Sequence, residues 1–179
     1  MSSLADYVAC LDAGDLAGVA ELMLSSANKL AAQGADFLIC PDNTIHQAVR
    51  QVLPRSPLPW LHIADVVADQ AVRQGLRRPA VLGTRWLMEG PVYPEALSAR
   101  GLEPVIPDPD DRARIDRIIM EELVPLRVVE ASRNALLEII ARMADQGADS
   151  AILGCTELPL AFPDHLDDPA FEADGHLFV

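Results

Sequence analysis

The sequence predicts an α/β protein of two pseudo-symmetric lobes, in which parallel sheets are flanked by helices and a cleft lies between the lobes. Two observations lead to this fold class. Short apolar segments with the length of buried strands alternate with longer segments of helical periodicity, an order typical of parallel sheets. One helix–strand unit also occurs twice, which indicates an internal duplication.

The composition narrows the class of protein further. Half of the 179 residues are hydrophobic, enough to build one domain or two small lobes around a core. The formal net charge of −13 disfavours binding to nucleic acid or to anionic membranes. No membrane span or signal peptide is expected, and three widely separated cysteines predict reduced thiols in a cytoplasmic protein. No metal-binding motif stands out.

The repeated unit contains the two candidate reactive residues. The tetrapeptide Gln-Gly-Ala-Asp begins at Gln33 and again at Gln146, and each copy precedes a short strand and a polar triplet. Asp42 and Cys155 occupy the same position in the two copies. Two facing lobes would aim both residues at one cleft, a geometry suited to moving a proton on one face of a carbon and off the other. Alternatively, Gln-Gly-Ala-Asp is helix-terminating chemistry used twice.

The first lobe is predicted to span residues 1–77. Helices are expected over 4–11, 15–33, 44–53 and 65–76, and strands over 37–40 and 60–63. Asn43 and Thr44 would lie at a helix N-terminus, where free backbone N–H groups favour an anion.

The second lobe is predicted to span residues 78–179, with the boundary near Arg77 and Arg78. Strands are expected over 79–82, 104–106 and 151–153, and helices over 93–100 and from Asp110 and Glu130 onwards. Cys155 follows the last of these strands. Ligands of open α/β sheets bind outside the carboxyl ends of strands, so Cys155 is expected in a site. A small buried thiol closing the strand is the alternative.

Four short motifs follow one another along the chain, namely Cys40 to His46, Leu61 to Asp65, Leu82 to Thr84 with Met88 to Gly90, and Leu153 to Glu157. Together they resemble the aspartate/glutamate racemase family (the Asp/Glu/hydantoin racemase superfamily). The resemblance implies two α/β lobes and racemisation without metal, pyridoxal phosphate or nucleotide. It also implies one acid/base residue from each lobe. The best-known members use two cysteines, whereas here the first motif carries Asp42.

The resemblance also bears on the two ends of the chain. Relatives open with a strand and a glycine-rich turn and finish with a Thr-Thr and His segment and a closing helix, none of which is recognisable here. The first lobe is therefore expected to be incomplete, with only two strands. Either the chain is a fragment or a partner chain supplies the missing edge, so a homo-oligomer is one possibility.

The two candidate reactive groups differ in basicity. A thiol with a reference pKa of about 8.5 suits removal of an α-proton, and a helix beginning beside Cys155 would favour the thiolate. This predicts that Cys155 is the most reactive of the three thiols. An unperturbed carboxyl has a pKa of about 3.9, so Asp42 would need burial or a neighbouring carboxylate to act as an acid. Asp42 is otherwise interpreted as a helix N-cap.

The remaining site residues follow from the resemblance. It assigns substrate binding to Asn43, Thr44, Thr84, Thr156 and Glu157, although each could equally be a turn or cap residue. Glu157 would orient a neighbour or cap the helix after Cys155. We interpret a further set as structural or surface residues, namely Cys40, His46, His62, Arg127 and Arg133.

The sequence therefore favours an isomerase that racemises a small amino acid or dicarboxylate by proton transfer at the α-carbon. One alternative is another carbon-acid enzyme of the superfamily, a decarboxylase or a cis–trans isomerase of small dicarboxylates, that uses Cys155 alone. The other is a catalytically silent binding module, favoured by Asp42 and by the missing ends.

Overall fold

A computed structural model describes residues 3–166, 170–173 and 175–178. The chain divides into two compact units, residues 1–63 and 64–179, and each is described by itself. The division falls earlier than the predicted lobe boundary at 77/78. The reason lies in helix α4, Ile63–Arg73, because its buried alanines Ala64, Ala68 and Ala71 pack into the core of the second unit.

The first unit begins with two capped helices. Ser3 and Asp6 form a capping box on α1, Leu4–Asp12, and the Asp15 carboxylate accepts from the Gly18 amide at the start of α2, Leu16–Ala32. Strand β1, Leu38–Ile39, follows. The predicted helix over 44–53 is divided into a 3-10 helix Thr44–Ala48, α3 Val49–Val52 and a 3-10 turn Leu53–Arg55.

Strand β2, Trp60–Leu61, pairs in parallel with β1, so that Leu38 lies beside Trp60 and Ile39 beside Leu61. Helices α2 and α3 cover one face of this small sheet. The core there consists of apolar residues from three segments, namely Val19, Ala20, Met23, Leu24, Ile45, Ala48, Val49 and Val52. On the other face, Ile39 and Leu61 are 65% and 52% exposed, and Phe37 is 56% exposed.

The second unit is built on a four-stranded sheet in the order β3-β4-β6-β5. Strands β3, Pro79–Leu82, and β4, Ser150–Leu153, are parallel, as predicted. Strand β6, His176–Phe178, pairs in parallel with β4 and forms an antiparallel hairpin with β5, Phe171–Ala173. The predicted strand over 104–106 is reduced to a parallel bridge between Val105 and Ala80.

Helices cover both faces of this sheet. They are α5 Arg85–Met88, α6 Val92–Ser98, α7 Pro109–Ile118, which continues as a π-helical segment Ile119–Leu123, and α8 Glu130–Asp145. Ala80 and Ala151 pack with α7 and α8, whereas Val81 and Ile152 pack with α4 and α6. Successive strand residues therefore enter opposite cores, which is why β3 and β4 are continuous apolar runs. The predicted α/β class is confirmed.

The repeated Gln-Gly-Ala-Asp tetrapeptide ends α2 and α8 in the same way. Gly34 and Gly147 have φ angles of 87° and 92°, and each is the left-handed residue of a Schellman motif. The bonding pattern is identical, with Gly34 and Ala35 donating to Ala31 and Leu30, and Gly147 and Ala148 donating to Ala144 and Met143. The helix-terminating interpretation of the repeat is therefore correct, and each stop leads directly into a strand.

Within the part of the chain that the structure describes, no helix combines the length and apolar character needed to cross a membrane.

Candidate functional site

The carboxyl ends of β3 and β4 form one edge of the second unit's sheet. Leu82 lies beside Leu153, so the next residues, Gly83-Thr84 and Gly154-Cys155, leave the sheet side by side. Thr84 is buried and precedes α5, whereas Cys155 is half-buried in a turn. The parallel register thus brings Thr84, Cys155, Thr156 and Glu157 to the same sheet edge, where α/β proteins bind ligands.

Two glycines allow the chain segments to approach closely at this edge. The Gly154 amide donates to the Leu82 carbonyl over 2.7 Å. A Cβ atom on Gly154 would lie 2.7 Å from that same carbonyl oxygen and 2.6 Å from the end of the Leu87 side chain. A Cβ atom on Gly83 would lie 2.6 Å from Leu87 and 3.2 Å from the Gly154 carbonyl. A side chain at Gly154 would therefore press on the Leu82 backbone, whereas one at Gly83 would press mainly on the Leu87 side chain.

The Cys155 thiol is held by a carboxylate. Its Sγ donates to Oε2 of Glu157 over 3.0 Å, and the Thr156 hydroxyl donates to the same oxygen over 2.8 Å. Glu157 thus orients its neighbours, which is one of the two roles considered for it.

The helix predicted beside Cys155 is present only as a short 3-10 helix. Residues 155–157 form a turn, and a four-residue 3-10 helix, Leu158–Ala161, follows it. Pro163 accounts for the early end of this helix, because proline lacks an amide hydrogen and its ring clashes with the preceding turn. Pro159 lies in the first turn, where proline is tolerated. The Cys155 thiol therefore lies beside a carboxylate and before a short 3-10 helix.

In the first unit, Asp42 caps a helix start through its side chain. Its Oδ1 accepts from the amides of Thr44 over 2.9 Å and of Ile45 over 3.3 Å. Asn43 and Thr44 are buried at this turn. The amides expected to receive a substrate anion are thus engaged by a carboxylate of the chain itself. The N-cap interpretation of Asp42 agrees with this geometry, although the helix it caps is a 3-10 helix.

Cys40 lies two residues before Asp42 and packs against the first unit's core. Its thiol is directed at the Asp42 carbonyl, with 3.9 Å between Sγ and oxygen. Burial raises the pKa of Cys40 to about 11, and the negative charge of Asp42 acts in the same direction. Cys40 is therefore a protonated packing residue at neutral pH, consistent with its structural interpretation.

His46 forms contacts that the sequence did not predict. The ring is 3% exposed. Its Nδ1 lies 2.7 Å from the Asp42 carbonyl oxygen, and its Nε2 accepts from the Ile63 amide over 3.5 Å. The His62 ring packs edge-on against it with centroids 4.7 Å apart. His46 is thus structural, as expected, but it contacts the backbone of a candidate site residue.

The two arginines interpreted above as structural or surface residues make local contacts. The Arg127 side chain is exposed and donates to the Glu121 carbonyl, and the Arg133 guanidinium lies 5.7 Å from the centroid of the Phe162 ring. Both contacts agree with a surface or structural role.

The fold and the candidate site together define the class of protein to which this chain belongs. The second unit is a largely parallel α/β sheet whose strands end in Gly-Thr and Gly-Cys-Thr-Glu, with a carboxylate-bound thiol at the sheet edge. The chain matches the model of the Asp/Glu/hydantoin racemase family over residues 2–171, and it belongs to that family.

One known protein with a similar sequence is a bacterial racemase. The broad specificity amino-acid racemase RacX of Bacillus subtilis (strain 168) is 26% identical over 144 residues, a match that includes 80% of this chain and 61% of the Bacillus protein. The chain therefore spans about three-fifths of that relative.

Two crystal structures are also similar. A Yersinia pestis protein assigned to the Asp/Glu racemases is 34% identical, with a TM-score of 0.80, over 89% of this chain and 70% of that one. An aspartate racemase homologue from Pyrococcus horikoshii OT3 is 31% identical, with a TM-score of 0.70, over 80% of this chain and 63% of that one.

Proposed function

We propose that this protein is an amino-acid racemase-like isomerase that transfers a proton at the α-carbon of a small amino acid or dicarboxylate. The observation that carries the proposal is the hydrogen bond from Cys155 to Glu157 at the carboxyl edge of β3 and β4, in a chain of the racemase family. The chemistry needs neither a metal nor pyridoxal phosphate, because a thiolate can itself remove the α-hydrogen.

In the proposed reaction Glu157 accepts the thiol proton, and the Cys155 thiolate then takes the α-hydrogen as a proton. The electron pair of the broken C–H bond stays on the α-carbon as a carbanion. Asp42, in its carboxylic acid form, returns a proton to the other face and becomes a carboxylate. Asp42 is assigned this role because it occupies the position of Cys155 in the internal repeat.

The proposed substrate contacts are polar groups beside these two residues. Thr84 and Thr156 offer hydroxyl groups in the second unit, and Asn43 and Thr44 offer polar groups at the start of the 3-10 helix of the first. We also propose a cytoplasmic location, since Cys10, Cys40 and Cys155 are all free thiols in the structure.

One observation favours a second candidate function. The Asp42 carboxylate accepts from the amides of Thr44 and Ile45, and such bonds stabilise the ionised form, which cannot donate a proton. A carbon-acid enzyme that uses Cys155 alone, a decarboxylase or a cis–trans isomerase of small dicarboxylates, is compatible with an Asp42 that only caps the helix.

An exchange assay in deuterated water separates these functions. The purified protein is incubated with both enantiomers of a panel of amino acids and with malonates and unsaturated dicarboxylates. The racemase proposal predicts α-hydrogen exchange together with loss of chirality. Turnover of malonates or unsaturated acids alone would support the second candidate, and ligand-induced thermal stabilisation without turnover would support a binding module.

Variants test the residue assignments. Cys155→Ser should abolish exchange and racemisation, whereas Cys40→Ser, a matched change to the packed thiol, should leave both in place. Exchange should be faster than net racemisation for the enantiomer whose α-hydrogen meets Cys155, because a thiolate is the stronger base. Asp42→Cys should accelerate the slower enantiomer. Equal exchange rates for the two enantiomers in the unmodified protein would contradict the role of Asp42.

We also propose that two copies of the chain associate through the open face of the β1–β2 sheet. Phe37, Ile39 and Leu61 form an exposed apolar face on a parallel sheet, and parallel sheets are normally covered on both faces. A second copy is the occupant that fits, because the apolar residues of this face can pack against the same residues of another copy while the strongly acidic chain keeps its charged residues in water.

A further inference from the structure

The segment that carries Asp42 is fixed by more than its own cap. The Asp42 carbonyl faces two donors, the Cys40 thiol at 3.9 Å and Nδ1 of His46 at 2.7 Å. The Asp42 carboxylate accepts from two amides of the following turn. The contact with His46 links Asp42 to a more distant part of the chain, because Nε2 of the same ring contacts Ile63, the first residue of α4.

The hydrogen bonds of His46 define its tautomer. The Ile63 amide is a donor, so Nε2 must be the unprotonated acceptor. The ring hydrogen then resides on Nδ1, where it donates to the Asp42 carbonyl. The ring is 3% exposed and packed edge-on by His62, so its orientation is restricted from a third side. A neutral imidazole in this tautomer connects the Asp42 backbone to the N-terminus of α4.

We propose that His46 is a positioning residue that holds Asp42 through this two-sided contact. The proposal deepens the function proposed above and rests on it only where activity is measured. A displacement of the Asp42 backbone would move its carboxyl away from the α-carbon of a substrate, and misplacements of about 1 Å can cost about 100-fold in rate. In this proposal His46 acts through Asp42 rather than on the substrate.

Two substitutions separate the two contacts. The amide nitrogen of asparagine can take the place of Nδ1, so His46→Asn keeps the donor to the Asp42 carbonyl and loses the acceptor for Ile63. The amide oxygen of glutamine can reach the place of Nε2, so His46→Gln keeps the acceptor and loses the donor. We expect His46→Gln to lower kcat about 10- to 100-fold with little change in KM. His46→Asn should retain most of the rate.

Measurements without substrate keep the test independent of the function. In the unmodified protein, ¹⁵N NMR of the histidines should show His46 protonated on Nδ1. Amide hydrogen exchange should show faster exchange of Ile63 in His46→Asn, and of Thr44 and Ile45 in His46→Gln. Thermal unfolding of both variants reports whether either has lost its fold.

The outcomes distinguish the two proposals. A proton on Nε2 of His46, or equal effects of the two variants on kcat and on amide exchange, would overturn the positioning role. If the tautomer and the exchange pattern are as expected while the unmodified protein has no activity on any substrate, the positioning stands and the proposed isomerase function fails.

Discussion

A methyl group added at Gly154 should disturb the sheet edge that carries Cys155. In Gly154→Ala the new Cβ atom would meet the Leu82 carbonyl at 2.7 Å, whereas ordinary van der Waals contact begins at 3.4 Å. The obstacle is backbone, and Leu82 accepts the Gly154 amide hydrogen in the same place. Both the Leu82 carbonyl oxygen and the Gly154 amide nitrogen are backbone atoms. The ends of β3 and β4 must therefore move apart or lose the hydrogen bond between them.

We expect Gly154→Ala to lower the free energy of unfolding by about 1–3 kcal/mol, the usual cost of overpacking. The comparison is Gly83→Ala, where the 2.6 Å contact is with the end of the Leu87 side chain and the nearest backbone atom is 3.2 Å away. Leu87 can rotate, so this change should cost about 1 kcal/mol or less, part of it offset by the smaller entropy of the unfolded alanine chain. Urea and thermal unfolding followed by circular dichroism measure both variants.

The reasoning fails if Gly154→Ala unfolds within about 0.5 kcal/mol of the unmodified protein. It also fails if Gly83→Ala is the more damaging of the two, because the argument depends on backbone being less able to move than a leucine side chain.

Four further predictions concern other parts of the molecule. Leu126 has a φ of 59° at the left-handed position of a helix end and is 76% exposed. Glycine adopts this conformation without steric cost, so Leu126→Gly should raise the free energy of unfolding by about 1 kcal/mol. Leu126→Ala keeps the Cβ atom and should leave the thermal unfolding temperature unchanged. With its pKa raised to about 11 by burial, Cys40 should react with iodoacetamide at pH 8 about 100-fold more slowly than in urea, as read by mass spectrometry. As the pH rises, the Cys40 thiol loses its proton in the unfolded chain before it does so in the folded chain. The free energy of unfolding should therefore decline between about pH 9 and pH 11, and Cys40→Ala should flatten this decline. Light scattering at micromolar concentration should show an oligomer that Ile39→Lys dissociates, and a stable monomer of the unmodified protein would refute the proposed association.

The sequence was most informative where a proline or a glycine marks the end of an apolar run. Strand β3 was predicted with its observed bounds, because Pro79 starts the run and Gly83 ends it. The β5–β6 hairpin was missed, since its strands are only three residues long, too short for a periodic pattern to stand out. Its Phe171 and Phe178 pack with Phe162, which lies outside both strands, so the local sequence does not reveal this packing.

The site was predictable in its residue types but not in its hydrogen bonds. The Gly-Cys-Thr-Glu motif indicated a thiol with a nearby carboxylate, and the structure joins Cys155 to Glu157. The shortness of the helix after Cys155 could have been anticipated, because Pro163 prevents its continuation. The contact of His46 with Ile63 spans 17 residues along the chain and depends on the end of β2, so no local pattern could reveal it.

Strand β4 lies inside its sheet, and this affects how the protein could be engineered. On one side β4 has β3, which is followed by the bridge at Val105, and on the other it has the β5–β6 hairpin. Of the described strands, β5 borders the sheet without pairing with β4. A reporter or a recognition loop added beside β5 would therefore leave the strand that ends at Cys155 paired with both β3 and β6.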